Sequence, residues 1–188
     1  MRGAGANAGG LDVYSLGLVA GQNDSLTLAW SNGRLQNGPG PDLVVFENPF
    51  VFGAGVFMDL IVVEVSLDGV AFRPIAHDYV AADPTVYSRD PTLWHGFAGK
   101  TPVLLNVDTN PVDPFDATAA GGDPLDLDDV VGDDAVARAL RANGARFVRL
   151  TSASTQIDPH TGAVYPHDMF ANGPDIDGLY GRYVAAGP

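Results

Sequence analysis

The chain has 188 residues, no cysteine and a formal net charge of −13. This excludes a disulfide framework and a thiolate metal site, and sets the chain against nucleic acid and anionic membranes. The length fits one domain that buries a core without staples, and no run of about 18 apolar residues is present for membrane insertion.

Residues 1–10 are rich in Gly, Ala and Asn, which predicts a loosely held, flexible arm ahead of a single domain over 11–188. Asp12–Leu18 reads weakly as a strand. Ser25-Leu-Thr-Leu-Ala-Trp30 alternates with period two, so Leu26, Leu28 and Trp30 share one face of a half-buried strand. Ser31-Asn-Gly33 then marks a turn. Asn37-Gly-Pro-Gly-Pro-Asp42 is turn chemistry feeding an apolar run, Leu43–Phe46, that predicts a buried strand. Glu47 and Asn48 emerge at its far end, and Pro49 stops it.

Residues 49–58 read as a loop. Asp59–Leu67 is the clearest strand, with Ile61, Val63, Val65 and Leu67 on one face and Val62, Glu64 and Ser66 on the other. Asp68-Gly69 predicts a hairpin that returns through Val70–Ile75. From His77 to Val112 four prolines break the chain, and a loop of that length is either functional or hides a short strand such as Thr101–Val107. Asp133–Asn143 predicts the one helix, capped by Asp133 or Asp134 and stopped at Asn143-Gly144. Arg138 and Arg141 sit near its negative end, where cations are favoured. Arg146–Thr151 alternates as a strand, and Leu179–Val184 predicts a closing strand. About six to eight strands, long Pro/Gly loops and one short helix predict an all-β, antiparallel β-sandwich.

Of 23 acidic residues only Glu47 and Glu64 are glutamates, so the acidity is concentrated in turn-forming Asp. Three stretches gather oxygen ligands of the kind calcium takes: 37–48, 121–129 and 172–178. None has the spacing of an EF-hand loop, and turn-making alone is the plainer use of so many Asp residues. Glu47 and Glu64 lie on neighbouring strands, where two carboxylates across a cleft would serve glycoside hydrolysis; solvent exposure of Glu64 is the simpler reading. The four histidines are scattered without zinc-ligand spacing, and no Gly-x-Ser-x-Gly elbow or phosphate loop is present. Tyr87 and Trp94, with Tyr79, Phe97 and Asn110, offer ring faces and amides for a sugar, or else fill the core beneath a long loop.

Several phrases together carry a resemblance. Tyr14-Ser-Leu-Gly-Leu18 and Ser25-Leu-Thr-Leu28 precede Asn37-Gly-Pro-Gly-Pro-Asp-Leu-Val-Val-Phe-Glu-Asn48 and Glu64-Val-Ser-Leu-Asp-Gly-Val-Ala-Phe72. Ala98-Gly-Lys-Thr-Pro102, Gly121-Gly-Asp-Pro-Leu-Asp-Leu127 and Ala145-Arg-Phe-Val-Arg-Leu150 follow. In this order they resemble an uncharacterised family of bacterial, myxobacterial-type secreted or cell-surface proteins, over roughly residues 4 to 184. The resemblance implies a jelly-roll sandwich similar to discoidin-like or galactose-binding-like modules, with Ca2+ beside the sheet. Asp42, Glu47, Asn48, Glu64, Asp68, Asp123 and Asp126 match the polar positions of the family phrases and are the implied metal ligands. Pro124 and Leu125 depart from the small residue and Phe expected there, and helix 133–143 lengthens the link before Arg146.

The resemblance also implies an extracellular or cell-surface location, with a signal peptide removed ahead of residue 1. The expected function is a non-catalytic, calcium-binding module for adhesion or carbohydrate binding, with Tyr87, Trp94 and Asn110 as ligand contacts and a glycan or surface protein as partner. The alternatives are a self-assembling subunit of a surface layer or filament, and a metal-dependent hydrolase.

Overall fold

Apolar residues at every second position from Ile61 demand two faces, and the chain supplies both. In a computed structural model, which describes residues 1–186, two antiparallel sheets carry the fold. The principal strands are β1 (Ser25–Ala29), β2 (Leu43–Phe46), β3 (Phe50–Phe52), β4 (Gly55–Phe57), β5 (Ile61–Ser66), β6 (Arg73–Pro74), β7 (Asp123–Leu125), β8 (Phe147–Ser152) and β9 (Gly178–Gly181). One sheet has the order β1-β8-β5-β6 and the other β7-β2-β9, while β3 and β4 form a separate hairpin. Apart from the β5–β6 hairpin, strands of the two sheets alternate along the chain, and neither sheet closes into a barrel.

Leu43 and Val45 of β2 meet Ile61, Val63 and Val65 of β5 and Val148 and Leu150 of β8 in the central core. The opposite faces are buried as well. Val44 and Phe46 pack on Val103, Leu105 and Ala120, while Val62 packs into an aromatic core of Tyr79, Trp94, Phe97 and Tyr165. Strand β2 is therefore covered on both sides, which explains why its sequence is apolar at four successive positions rather than alternating.

The expected strands over 25–30, 43–46, 59–67 and 146–151 are found within a residue or two of their predicted bounds. The hairpin after β5 forms, but its returning strand is only Arg73–Pro74, because Asp68 and Gly69 sit in a wide turn. The expected helix is α2 (Ala135–Asn143), capped by the Asp134 side chain on the Ala137 amide. A one-turn helix, α1 (Ala117–Ala120), was not expected. Thr101–Val107 is no regular strand: Leu104 and Leu105 donate to the Ala120 carbonyl instead. Residues 1–10, expected as a loosely held arm, run beside that segment. The Gly3 and Gly5 amides donate to the carbonyls of Leu105 and Val103, and Met1 packs on the core under β2.

The turn into β7 depends on two left-handed glycines. A Cβ on Gly121 would strike the Pro102 carbonyl, and one on Gly122 would stand 2.6 Å from the Phe46 ring. Gly122→Ala is expected to cost about 2–4 kcal/mol in urea denaturation, from backbone strain together with overpacking against Phe46.

Candidate functional site

The stretch Asn37–Asn48 ends in a carboxylate on each side of β2. Asp42, at the entrance, is fully buried; Oδ1 accepts the Gly38 amide at 2.8 Å and Oδ2 the Leu127 amide at 2.9 Å. Its own amide donates to the Leu125 carbonyl, and its carbonyl accepts from Arg182. Burial raises its pKa, with the Leu127 and Gly38 amides pulling the other way. The acidic 121–129 segment thus does meet this stretch, through β7 beside β2 and through these amides.

Asp123 is equally engaged. Oδ2 accepts the Lys100 amide and Oδ1 the Thr101 hydroxyl, both at 2.8 Å. Burial raises its pKa against those bonds. Asp126 caps a short 3-10 turn through the Asp128 amide at 2.9 Å. Asp68 accepts from the Ser66 hydroxyl and from the Val70 and Ala71 amides, which hold its pKa below the ordinary value. Glu64 faces out from β5 and pairs with Arg149 at 2.6 and 2.8 Å, with that guanidinium 4.1 Å over Phe72. Asn48 exchanges hydrogen bonds with the backbone of Gly10. Six of the seven implied ligands therefore serve the protein's own hydrogen bonding and are spread over separate places.

Glu47 is the exception. It is 3% exposed; Oε1 accepts the Asp175 amide at 2.8 Å, and Oε2 is buried without a partner. Its pKa lies well above the usual carboxylate range, chiefly from burial and then from the charges of Asp59 and Asp175. Asp59, just before β5, is 7% exposed, and its Oδ1 is likewise buried without a partner. Burial, with the charges of Asp175 and Asp168, pushes its pKa from 3.8 to about 7, although the Gly173 amide favours its charged form. Asp59 is not among the ligands that the sequence phrases imply. The available signal was an Asp inside an apolar run, between Phe57-Met58 and Leu60–Val63, where turn-making gives it no use. The third acidic stretch, 172–178, contributes here through Asp175. Glu47 and Glu64 belong to different sheets and do not form an acid/base pair.

Among the described residues no three Asp, Glu or His side chains converge as a metal cluster. Of the implied ligands only Glu47 keeps a buried oxygen without a partner, and Asp59 adds a second such oxygen.

The proposed sugar contacts are placed differently from expectation. Trp94 is 0% exposed, stacked 3.5 Å from Tyr79 with its Nε1 donating to the Ser88 carbonyl. The Tyr87 hydroxyl donates to the Met58 carbonyl and accepts the Met58 amide. Asn110 holds the Leu104 carbonyl. Tyr79, Trp94 and Phe97 fill the second core, and Tyr87, partly buried, packs against it. An open ring lies nearby instead, at the β3–β4 hairpin. Phe52 borders a cleft of about 570 Å³ shared with Ser88, Arg89, Asp90 and Pro91. The Arg89 guanidinium lies 4.8 Å from the centre of the Phe52 ring and bonds Asp168 Oδ2 at 2.8 and 2.6 Å. The turn after Asp168 carries exposed Met169 and Phe170.

Compared with protein-family models, curated proteins and solved structures, the chain matches none.

In chelator-treated buffer, between the unfolded and folded pKa values of Asp59, the folded chain keeps a proton that the unfolded chain has released. Stability then falls as pH rises through that window. Thermal melts are expected to shift downward from about pH 5 to pH 8, and Asp59→Asn to flatten part of that slope, with Glu47 supplying more of it; parallel profiles for the two proteins would contradict this.

Proposed function

We propose that the chain is a non-catalytic recognition module of the cell exterior that holds a carbohydrate in the cleft between the β3–β4 hairpin and residues 88–91. Phe52 carries the reading. Phe52 is 54% exposed, with Arg89 over one side of its ring, at the rim of a cleft lined also by the Gly53–Gly55 turn, Ser88, Asp90 and Pro91. An apolar ring for the C–H face of a sugar, with a few polar groups to fix its orientation, is the usual composition of a small-ligand site. Arg89 is tied down by Asp168, so the floor is ordered before a ligand arrives, which lowers the entropy cost of binding. The exterior placement rests on the resemblance to secreted and cell-surface proteins.

One observation favours a second reading, a self-assembling surface subunit. Val51, Met169 and Phe170 are exposed, Phe170 at 73%, and the Arg89–Asp168 pair links their two segments at one end of the molecule. Apolar patches of this kind mark interaction surfaces. Concentration-dependent assembly in light scattering would favour that reading.

A glycan array should return a defined sugar class. Phe52→Ala should then weaken the best ligand at least about tenfold, as loss of a hot-spot ring does. Stability should stay within about 0.5 kcal/mol, because the side chain is exposed. Unchanged affinity in the variant, or an array without binding, would contradict the carbohydrate reading.

A further inference from the structure

We propose that the orphaned oxygens of Glu47 and Asp59 are the side-chain ligands of one hard divalent cation of the calcium class, with backbone carbonyls and water completing its shell. The proposal is independent of the carbohydrate cleft and would survive its loss.

The first argument is electrostatic. Both carboxyl groups are more than nine-tenths buried, and each has an oxygen that meets no donor. An ionised carboxylate in that position is strongly disfavoured unless a cation or donors meet it. The side-chain charges that act on the two groups are all negative: Asp59 and Asp175 on Glu47, and Asp175 and Asp168 on Asp59. Asp168 is itself answered by Arg89, whose guanidinium is used there. His167 lines a small cavity together with Asp59. Asp59 lines that cavity together with Pro174, and the next residue, Asp175, donates its amide to Glu47, so both orphaned carboxyl groups face one short segment of the chain without a fixed cationic partner.

The second argument is positional. Glu47 ends β2, Asp59 precedes β5, and Asp175 presents its amide to Glu47 from the 172–178 stretch. A cation at Glu47 and Asp59 would fasten the ends of strands from both sheets to that stretch. The cavity that Asp59 lines, about 10 Å³, has room for one water centre and is bordered by the hydroxyl-bearing Tyr87, Ser152 and Ser154. A metal-bound water fits there.

The third argument is chemical. The available donors are carboxylate, carbonyl and hydroxyl oxygens, without a thiolate, which selects a hard cation over zinc or copper. Loop carbonyls at irregular angles suit calcium, which accepts six to eight ligands. Magnesium demands near-ideal octahedral geometry and keeps its waters.

The test uses the full chain, stripped with chelator at pH 7.5 and titrated calorimetrically with Ca2+ and, separately, with Mg2+. The expected result is one saturable Ca2+ site, weaker Mg2+ binding and a higher melting temperature with Ca2+. Glu47→Gln and Asp59→Asn should each weaken Ca2+ by at least about 100-fold, at the upper end of what loss of even an outer-shell partner does. Asp133→Asn, which alters an exposed carboxylate, should bind as the unaltered protein does. Should a variant fail to fold, a crystal of the unaltered protein grown with Ca2+ decides, with the ion expected on Glu47 and Asp59. The proposal is overturned by any of three results: no heat and no melting shift at about 10 mM Ca2+, well above the range of extracellular calcium modules; unaltered affinity in Asp59→Asn; or a bound ion that lies away from Glu47 and Asp59.

Discussion

Strand β2 is buried on both faces, and that constraint governs the rest of the molecule. Four apolar residues leave no side chain on the strand to reach water, so its polar obligations are met at its two ends. At the entrance Asp42 gathers amides from Gly38 and Leu127 and fixes where the turn and the β7 segment meet. At the exit Glu47 takes the Asp175 amide and leaves one oxygen over. The same strand separates two of the three apolar clusters. Leu43 and Val45 belong to the space between the sheets, and Val44 and Phe46 to the space under the N-terminal residues. Gly122 has to be glycine because Phe46 occupies the room a side chain would take.

The sheets were legible in the sequence wherever one face differs from the other. Ile61–Ser66 and Phe147–Ser152 announce themselves by alternation, and α2 by its Asp134 cap and its Gly144 stop. What escaped are elements defined by distant partners. Leu104 and Leu105 are ordered by the Ala120 carbonyl, and the first ten residues by the backbone of 103–106 and by Asn48. Neither pairing leaves a local pattern to read. The carboxylates show the same limit. Asp42, Asp68, Asp123 and Asp126 suit calcium and turn-making equally by residue type, and only the structure shows that Asp68 and Asp126 close local turns while Asp42 and Asp123 also hold distant amides. Asp59 is the converse case, where the informative feature was an acidic residue without turn neighbours.

The site and the cleft divide the molecule's work. The Glu47–Asp59 pair lies inside, where it bears on the joining of the sheets. Phe52 and Arg89 lie at the surface, held by Asp168 and by the close approach of Gly55 to the Arg89 carbonyl. Tyr87 stands between them: its hydroxyl binds the Met58 backbone next to Asp59, and its ring lies 6.0 Å from that of Trp94 in the aromatic core beneath the cleft. A clamp that orders residues 58–59 therefore also steadies the ground under the cleft. Under the proposed reading, this connection would link the cation to the binding of a ligand in the cleft.

The account turns on what neutralises the two orphaned carboxylate oxygens. The most direct measurement is a crystal structure of the chain grown with calcium, with anomalous data collected to locate the ion. The account predicts one anomalous peak about 2.3–2.6 Å from both Glu47 Oε2 and Asp59 Oδ1. A map without a peak there, with the two carboxyl groups joined by a shared proton, would contradict it.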